Sequence, residues 1–264
     1  MRAWLPVLAI LGALFAAPGS ASAGGFTPDL FDAWIKMRAG DGTPVFWYAK
    51  GNVLQEGTGK LLSHMEGFEA ARAIRDPAKP NSWLHLSRKI FILRDPATGS
   101  ILTGADGKPR PPIAYPYQVR TYTLDGDDFV YSVQSHDMTA VTEEPPQRNF
   151  TVQRFGGVTH FNYAMFVDRL RGDGSRTKFY EVNDFFLRPD AKTEQARFQN
   201  TWVSAGPGPT VSNATFTRTG KFEAMPKGIV DYVRANAPLW MAPPQDMAEI
   251  ERLRKLVPLL LNQR

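Results

Sequence analysis

The chain contains no cysteine, which excludes disulfides, thiolate nucleophiles and zinc–thiolate sites. Histidine is scarce. His64, His85, His136 and His160 are the whole complement, and none lies within four residues of another. No local two-histidine metal clamp is therefore encoded. The nucleophile elbow G-x-S-x-G, the phosphate-cradling loop and the dinucleotide fingerprint are missing too, so no metal and no cofactor is expected. Like-signed charge never gathers into a block, although Lys+Arg (31) exceed Asp+Glu (26). A basic stripe would mark a nucleic-acid binder, and no nucleic-acid partner is expected here.

What is present begins at the N-terminus. Arg2 precedes an apolar run from Val7 to Ala17, and Ala21-Ser22-Ala23 is a small-x-small step. This is the layout of a secretory signal peptide, with an apolar stretch short for a membrane span. Cleavage after Ala23 would leave residues 24–264 as one domain in the periplasm or outside the cell. The leader holds one arginine, so the net charge of +5 drops by one. No later apolar run approaches the roughly 18 residues of a span, so no transmembrane segment is expected after cleavage.

Strand signals dominate the remainder. Thr27 and Pro28 open a short helix with Leu30, Phe31, Trp34 and Met37 near one face. Val45–Tyr48, Leu84–Arg94, Gln118–Leu124, Phe129–Gln134, Phe150–Phe155, Val158–Leu170, Lys178–Leu187, Arg197–Ser204 and Thr215–Phe222 read as strands. Ile101-Leu102 is expected to return as a partner strand, and residues 104–116, rich in proline and glycine, as loop. Pro226 starts a second helix, with Ile229, Tyr232 and Val233 inward. Asp246 and Glu249 have capping-box spacing for a last helix, which Pro258 should limit. Short strands joined by tight turns predict a mainly β fold. Its antiparallel sheet should curl strongly or close into a lipocalin-like barrel, with short helices at the N- and C-terminal ends.

Polar residues on apolar strand faces carry the functional expectation, because burying them needs a partner or a purpose. Arg88 lies between Leu86 and Ile90 on the alternation, which aims it at the interior. His160 and Asn162 share a face with Phe166, and Glu181 and Asn183 share one with Phe185. Two readings stand. One is an internal Arg88–Glu181 ion pair that fixes register. The other is a pocket for an apolar or aromatic small molecule, lined by Trp47, Arg88, His160, Asn162, Glu181, Asn183 and Trp202. An enzymatic alternative, a cofactor-independent hydratase, isomerase or hydrolase, would use His136 or His160 as base with Glu181 or Asp184 as its acid partner. The acidic run Asp125-Gly126-Asp127-Asp128 lacks the downstream glutamate of a calcium loop and reads as a turn.

Lys36-Met37-Arg38, then Asp41-Gly42 and Val45-Phe46-Trp47-Tyr48-Ala49-Lys50-Gly51, resemble the opening signature of a bacterial family catalogued as domain of unknown function 1838. The turn from Arg94 to Gly99 is similar to that family's x-D-x-x-T-G-E hairpin, with Ser100 in place of the glutamate. Phe222-Glu223-Ala224-Met225-Pro226 resembles its late step into a helix. Phe46 stands where the family usually carries Trp or Tyr. The resemblance implies a bacterial origin and a shared layout over most of the chain. It implies no activity.

Overall fold

The computed structural model describes residues 25–136, 141–148, 150–170, 176–187, 196–205 and 208–261. The expected leader and its cleavage point lie outside the described residues. Helix α1 (Pro28–Ala39) comes first. Strands β1 (Val45–Gln55), β2 (Leu61–Arg75), β3 (Ser82–Arg94), β4 (Ile113–Asp125) and β5 (Asp128–His136) follow. Next come β6 (Val141–Gln147), β7 (Phe150–Phe155), β8 (Val158–Leu170), β9 (Arg176–Leu187), β10 (Arg197–Ala205) and β11 (Thr210–Thr219). A 3-10 turn at Phe222–Ala224 leads into α2 (Lys227–Asn236), and a second at Pro238–Met241 leads to α3 (Met247–Leu261).

All eleven strands form one sheet in the order β6-β5-β4-β3-β2-β1-β11-β10-β9-β8-β7, with antiparallel pairing throughout. The sheet curls until its two flanks meet. Tyr131 of β5 donates its hydroxyl to the Ala164 carbonyl of β8. Gln147 of β6 exchanges two 3.4 Å hydrogen bonds with the backbone of Phe166. Side chains therefore bridge the seam where a backbone ladder would otherwise run. The result is a mostly β barrel, nearly closed, as the strand pattern predicts.

The first helix starts as expected, with Thr27 Oγ1 accepting from the Leu30 amide at 3.2 Å and Pro28 in its first turn. It lies within the barrel as a plug. Trp34 is fully buried and meets Phe150, Phe161 and Phe185 with ring centroids 4.9, 5.2 and 4.6 Å away, on β7, β8 and β9. Phe26 and Phe31 extend the cluster to Phe129 of β5, at 5.0 and 5.5 Å. Against β2 and β3, the inward Ala71 and Ala73 leave the helix room. This helix plugs the end where β1 begins.

The second and third helices pack on the outside. Ile229, Val230 and Val233 of α2 join Phe46, Phe68, Ile90 and Ile92. Ile250 of α3 joins Leu84, Leu86, Tyr117 and Val119. The Leu84–Ile92 face of β3 is thus buried beneath helices, while its other face, with His85, Ser87 and Phe91, is buried inside the barrel.

Several expectations change. The sequence pattern predicts neither β2 nor β6. β4 begins at Ile113, inside the stretch read as loop. Ile101 forms only an isolated bridge to Arg94. Pro258 does not stop α3, which runs to Leu261. Arg88 points outward, donating to the Pro116 and Ala242 carbonyls at 3.1 and 2.7 Å and pairing with Glu249 of α3. The Arg88–Glu181 pair does not form. Alternation marks the Leu84–Ile92 face as the apolar one, but α2 and α3 bury it from outside while the face with His85, Ser87 and Lys89 turns into the barrel. Among the described residues, no helix is long and apolar enough to cross a membrane.

Glu249 reaches the Gln245 amide at 2.7 Å, and Asp246 accepts from the Glu249 amide at 2.8 Å, so the capping box is largely as expected. Arg88 therefore anchors the start of α3 to the barrel wall. Arg88→Leu should lower stability by about 2 kcal/mol, through loss of charged hydrogen bonds. It should also accelerate hydrogen exchange in α3 selectively. An unchanged exchange rate there would show that apolar packing alone holds the helix.

Candidate functional site

Strand register decides which predicted residues meet. On β8 and β9, inward positions are Phe161, Tyr163, Met165, Glu181, Asn183 and Phe185; outward ones are His160, Asn162, Phe166, Asp184 and Phe186. Trp47 of β1 and Trp202 of β10 also point inward, Trp47 fully buried and Trp202 half-buried. The candidate residues therefore split. Trp47, Glu181, Asn183 and Trp202 share the barrel interior. His160, Asn162 and Asp184 share the outer face, and Arg88 lies under α3. His136 ends β5, and its side chain lies outside the described residues.

On the outer face, His160 Nε2 lies 2.9 Å from Asp184 Oδ1, and Asn162 donates to the same oxygen at 2.8 Å. The imidazole stacks on the exposed Phe186 ring, centroids 4.7 Å apart. This imidazole–carboxylate pair is oriented, but it does not face Glu181, because residues 181 and 184 leave the strand on opposite sides. His64 and Glu66 are likewise outward. His64 Nδ1 contacts Asn52 at 2.8 Å, while Glu66 takes Tyr48 and Arg94, each at 2.7 Å. The acidic turn at 125–128 serves Arg148, which bridges Asp125 and Asp128 at 2.7 and 2.6 Å. Among the described residues, no three His, Asp or Glu side chains converge as metal ligands.

The interior holds a group of charges that no sequence motif announced. Arg38, in the last turn of α1, pairs with Glu69 of β2 at 2.6 Å, both about 1% exposed. Its guanidinium also lies 5.4–5.8 Å from the ring centroids of Trp47, Phe185 and Phe198. Trp47 donates its indole N–H to the Arg38 carbonyl at 2.8 Å. The other carboxylate oxygen of Glu69 faces His85 Nε2 at 3.4 Å and Lys89 Nζ at 3.9 Å, both on β3. Arg120 of β4 donates to the Tyr163 hydroxyl at 3.0 Å and lies 4.0 Å from Glu181. Glu181 accepts from Asn183 and Asn200 at 3.1 and 2.9 Å, and Asn200 donates to Asn183 at 3.0 Å.

Burial and neighbouring charge set the protonation states. Burial raises Glu69, but the Arg38 charge, helped by Lys89 and His85, holds it well below the usual carboxylate range. Burial, then the Arg38 charge, pushes His85 down to about 3 despite Glu69. The ring is therefore neutral at ordinary pH. A carboxylate only accepts, so Nε2 carries the proton toward Glu69 and Nδ1 accepts from the Tyr122 hydroxyl at 3.0 Å. Lys89 falls to about 8, first by burial and then by the Arg120 charge.

Lys89 and Glu181 are the members of this group that reach solvent, with side chains 13% and 15% exposed. Toward the end opposite α1, the inward residues become Phe91, Leu93, Val53 and Trp202, the last three half-buried. Ile101, from the long loop after β3, packs with the outer cluster and not across this mouth. The molecule is thus a barrel plugged at one end by a helix, with a charged layer at mid-depth and an apolar rim beyond it. Comparisons with protein-family models, with curated proteins and with solved structures return no match to this chain.

Proton linkage at His85 gives a signed expectation. Between pH 6.5 and about 3 the unfolded chain binds a proton at this histidine that the native state refuses. Stability therefore falls as pH drops through that window. Glu69 adds a loss of the same sign below its unfolded value near 4.5. Urea midpoints measured from pH 7 to 4 should decline for the wild type and more shallowly for His85→Gln. Parallel curves would show that His85 takes up its proton in the native state as readily as in the unfolded chain.

Proposed function

We propose that residues 24–264 act outside the cytoplasm and bind an apolar or aromatic small molecule in the barrel mouth opposite α1. The observation that carries this reading is the half-buried rim of Val53, Leu93 and Trp202 above a charged layer that Lys89 and Glu181 open to solvent. An apolar wall with a few convergent polar groups at its base is the usual composition of a small-molecule site. Trp202 sits 6.2 Å from Phe91, so an aromatic ligand has two faces to stack against.

Export rests on the tripartite leader of the sequence. Expression with the native N-terminus should yield a periplasmic or secreted protein whose intact mass begins at Gly24. A cytoplasmic product retaining Met1 would overturn that part of the proposal.

The resemblance to domain of unknown function 1838 extends the same reading. Within its opening signature, Arg38 reaches Glu69 across the interior and Trp47 holds the Arg38 carbonyl. On this reading, residues of the family's opening signature contribute to the charged layer and the plug beneath the mouth.

Binding is tested with N-phenyl-1-naphthylamine, a neutral aromatic probe whose emission rises on leaving water. The wild type should bind it saturably, and Trp202→Ala should weaken binding about tenfold, or roughly 1.4 kcal/mol. If binding is unaffected by Trp202→Ala but lost on Phe166→Ser with Phe186→Ser, the probe sits on the outer face and the mouth is not the site.

A further inference from the structure

Charge counting in the interior gives an uneven sum. Among the described side chains of the layer around Glu69 and Glu181, Arg38, Lys89 and Arg120 supply three cations against those two anions, and His85 is neutral; Arg218, also buried, donates to the Lys36 carbonyl at the plugged end. Arg38 takes one oxygen of Glu69, whose other oxygen has no hydrogen-bond partner among the described residues, and the amides of Asn183 and Asn200 serve Glu181. Lys89 stands 3.9 Å from Glu69 and Arg120 stands 4.0 Å from Glu181, both beyond hydrogen-bonding distance. Arg120 Nε, fully buried, has no hydrogen-bond partner among the described residues, and the same is true of Nε and Nη1 of Arg38. A buried cation without a full counter-charge is costly, and proteins keep one where something else supplies the anion.

The placement of the surplus is specific. Of the three cations, Arg38 is sealed beneath α1 and Arg120 is 2% exposed. Lys89 alone reaches toward the mouth, on the same strand face as Phe91 and Leu93 of the rim. We propose that the bound molecule is a monoanion, an aromatic or apolar body bearing one carboxylate or sulfonate, whose charge pairs with the Lys89 ammonium in the field of Arg120. This rests on the binding reading above and names the ligand class for that same mouth. Phosphomonoesters fit less well, because their second charge would meet Glu181, which shares the solvent-reaching side of the layer with Lys89.

The free protein's depressed Lys89 supports the same geometry. The charges around it are Glu69 from β2, Arg38 from α1, Arg120 from β4 and Glu181 from β9; His85 is neutral. With its value at about 8, Lys89 loses its proton as pH rises above that point, and an anion bound beside it raises the value again. Anion affinity should therefore fall as pH rises from 7 to 10. Glu69 and the arginines keep their charge across that range.

Two probes that share a ring system test the proposal. 1-Anilinonaphthalene-8-sulfonate is the sulfonated counterpart of N-phenyl-1-naphthylamine. The wild type should bind the sulfonate at least about tenfold tighter than the neutral probe at pH 7. Raising the pH to 10 should erase that preference and leave the neutral probe unaffected. Lys89→Met, checked for a native circular dichroism spectrum, should bring the two affinities within about twofold, and Lys89→Arg should restore the preference. Equal affinities in the wild type, or a preference that survives both Lys89→Met and pH 10, overturn the monoanion assignment while leaving the mouth as a binding site. If neither probe binds the wild type, the binding reading fails, and this proposal with it.

Discussion

The ion pair between Arg38 and Glu69 joins the helix inside the barrel to the wall around it. α1 contributes Phe31, Trp34 and Met37 to the core, yet a helix of twelve residues is marginal on its own. Its last turn is fastened by a guanidinium that meets a carboxylate at 2.6 Å, with three aromatic rings around it. Trp47 then grips the carbonyl of the same arginine. Breaking one side of a buried pair costs about 3–5 kcal/mol, because the survivor is left charged and unpaired. That is a large share of a domain's net stability. Burial beneath the docked helix, with the Arg38 charge beside it, keeps His85 neutral, and burial with the Arg120 charge lowers Lys89, so the protonation of the interior depends on the helix staying docked.

The architecture was largely legible in the sequence because its strands are punctuated. Asp125-Gly126-Asp127-Asp128 and Gly156-Gly157 mark tight turns that the structure contains, with Gly126 and Gly156 at φ of +65° and +53°. β2 was illegible for a physical reason. Its run Glu69-Ala70-Ala71-Arg72-Ala73 is made of good helix formers, and its inward face needs Ala71 and Ala73 small to admit α1. Tertiary packing overrode local preference there. β6 carries Pro145 and Pro146, which argue against a strand unless it lies at an edge, as this one does.

The site was legible only in part. Glu181, Asn183, Trp47 and Trp202 were identifiable as polar or aromatic residues on apolar faces, and they do share the interior. Arg88 showed the same signal and belongs outside, because α2 and α3 turn the outer face of β3 into a second core. Arg38 and Glu69 gave no warning. One sits at the end of a helix, where a cation complements the dipole, and the other sits in the strand that looked helical. Residues whose role depends on a contact between distant elements leave no local periodicity to read.

The seam between β6 and β8 has a consequence for self-association. An incompletely closed barrel keeps two free strand flanks, which ordinarily invite another chain to add a strand. On β6 the pairing with β5 jumps from Gln147 to Glu144, passing over Pro145 and Pro146. Neither proline has an N–H to offer on either side. Successive amides of a strand point to opposite sides, so the two adjacent prolines thin the donors on the free flank as well as those facing β5, and the register slip at the same place bends the strand away from a straight edge. Where the backbone ladder is left open, β6 offers a copy of the chain a poorer template than an unbroken edge strand would.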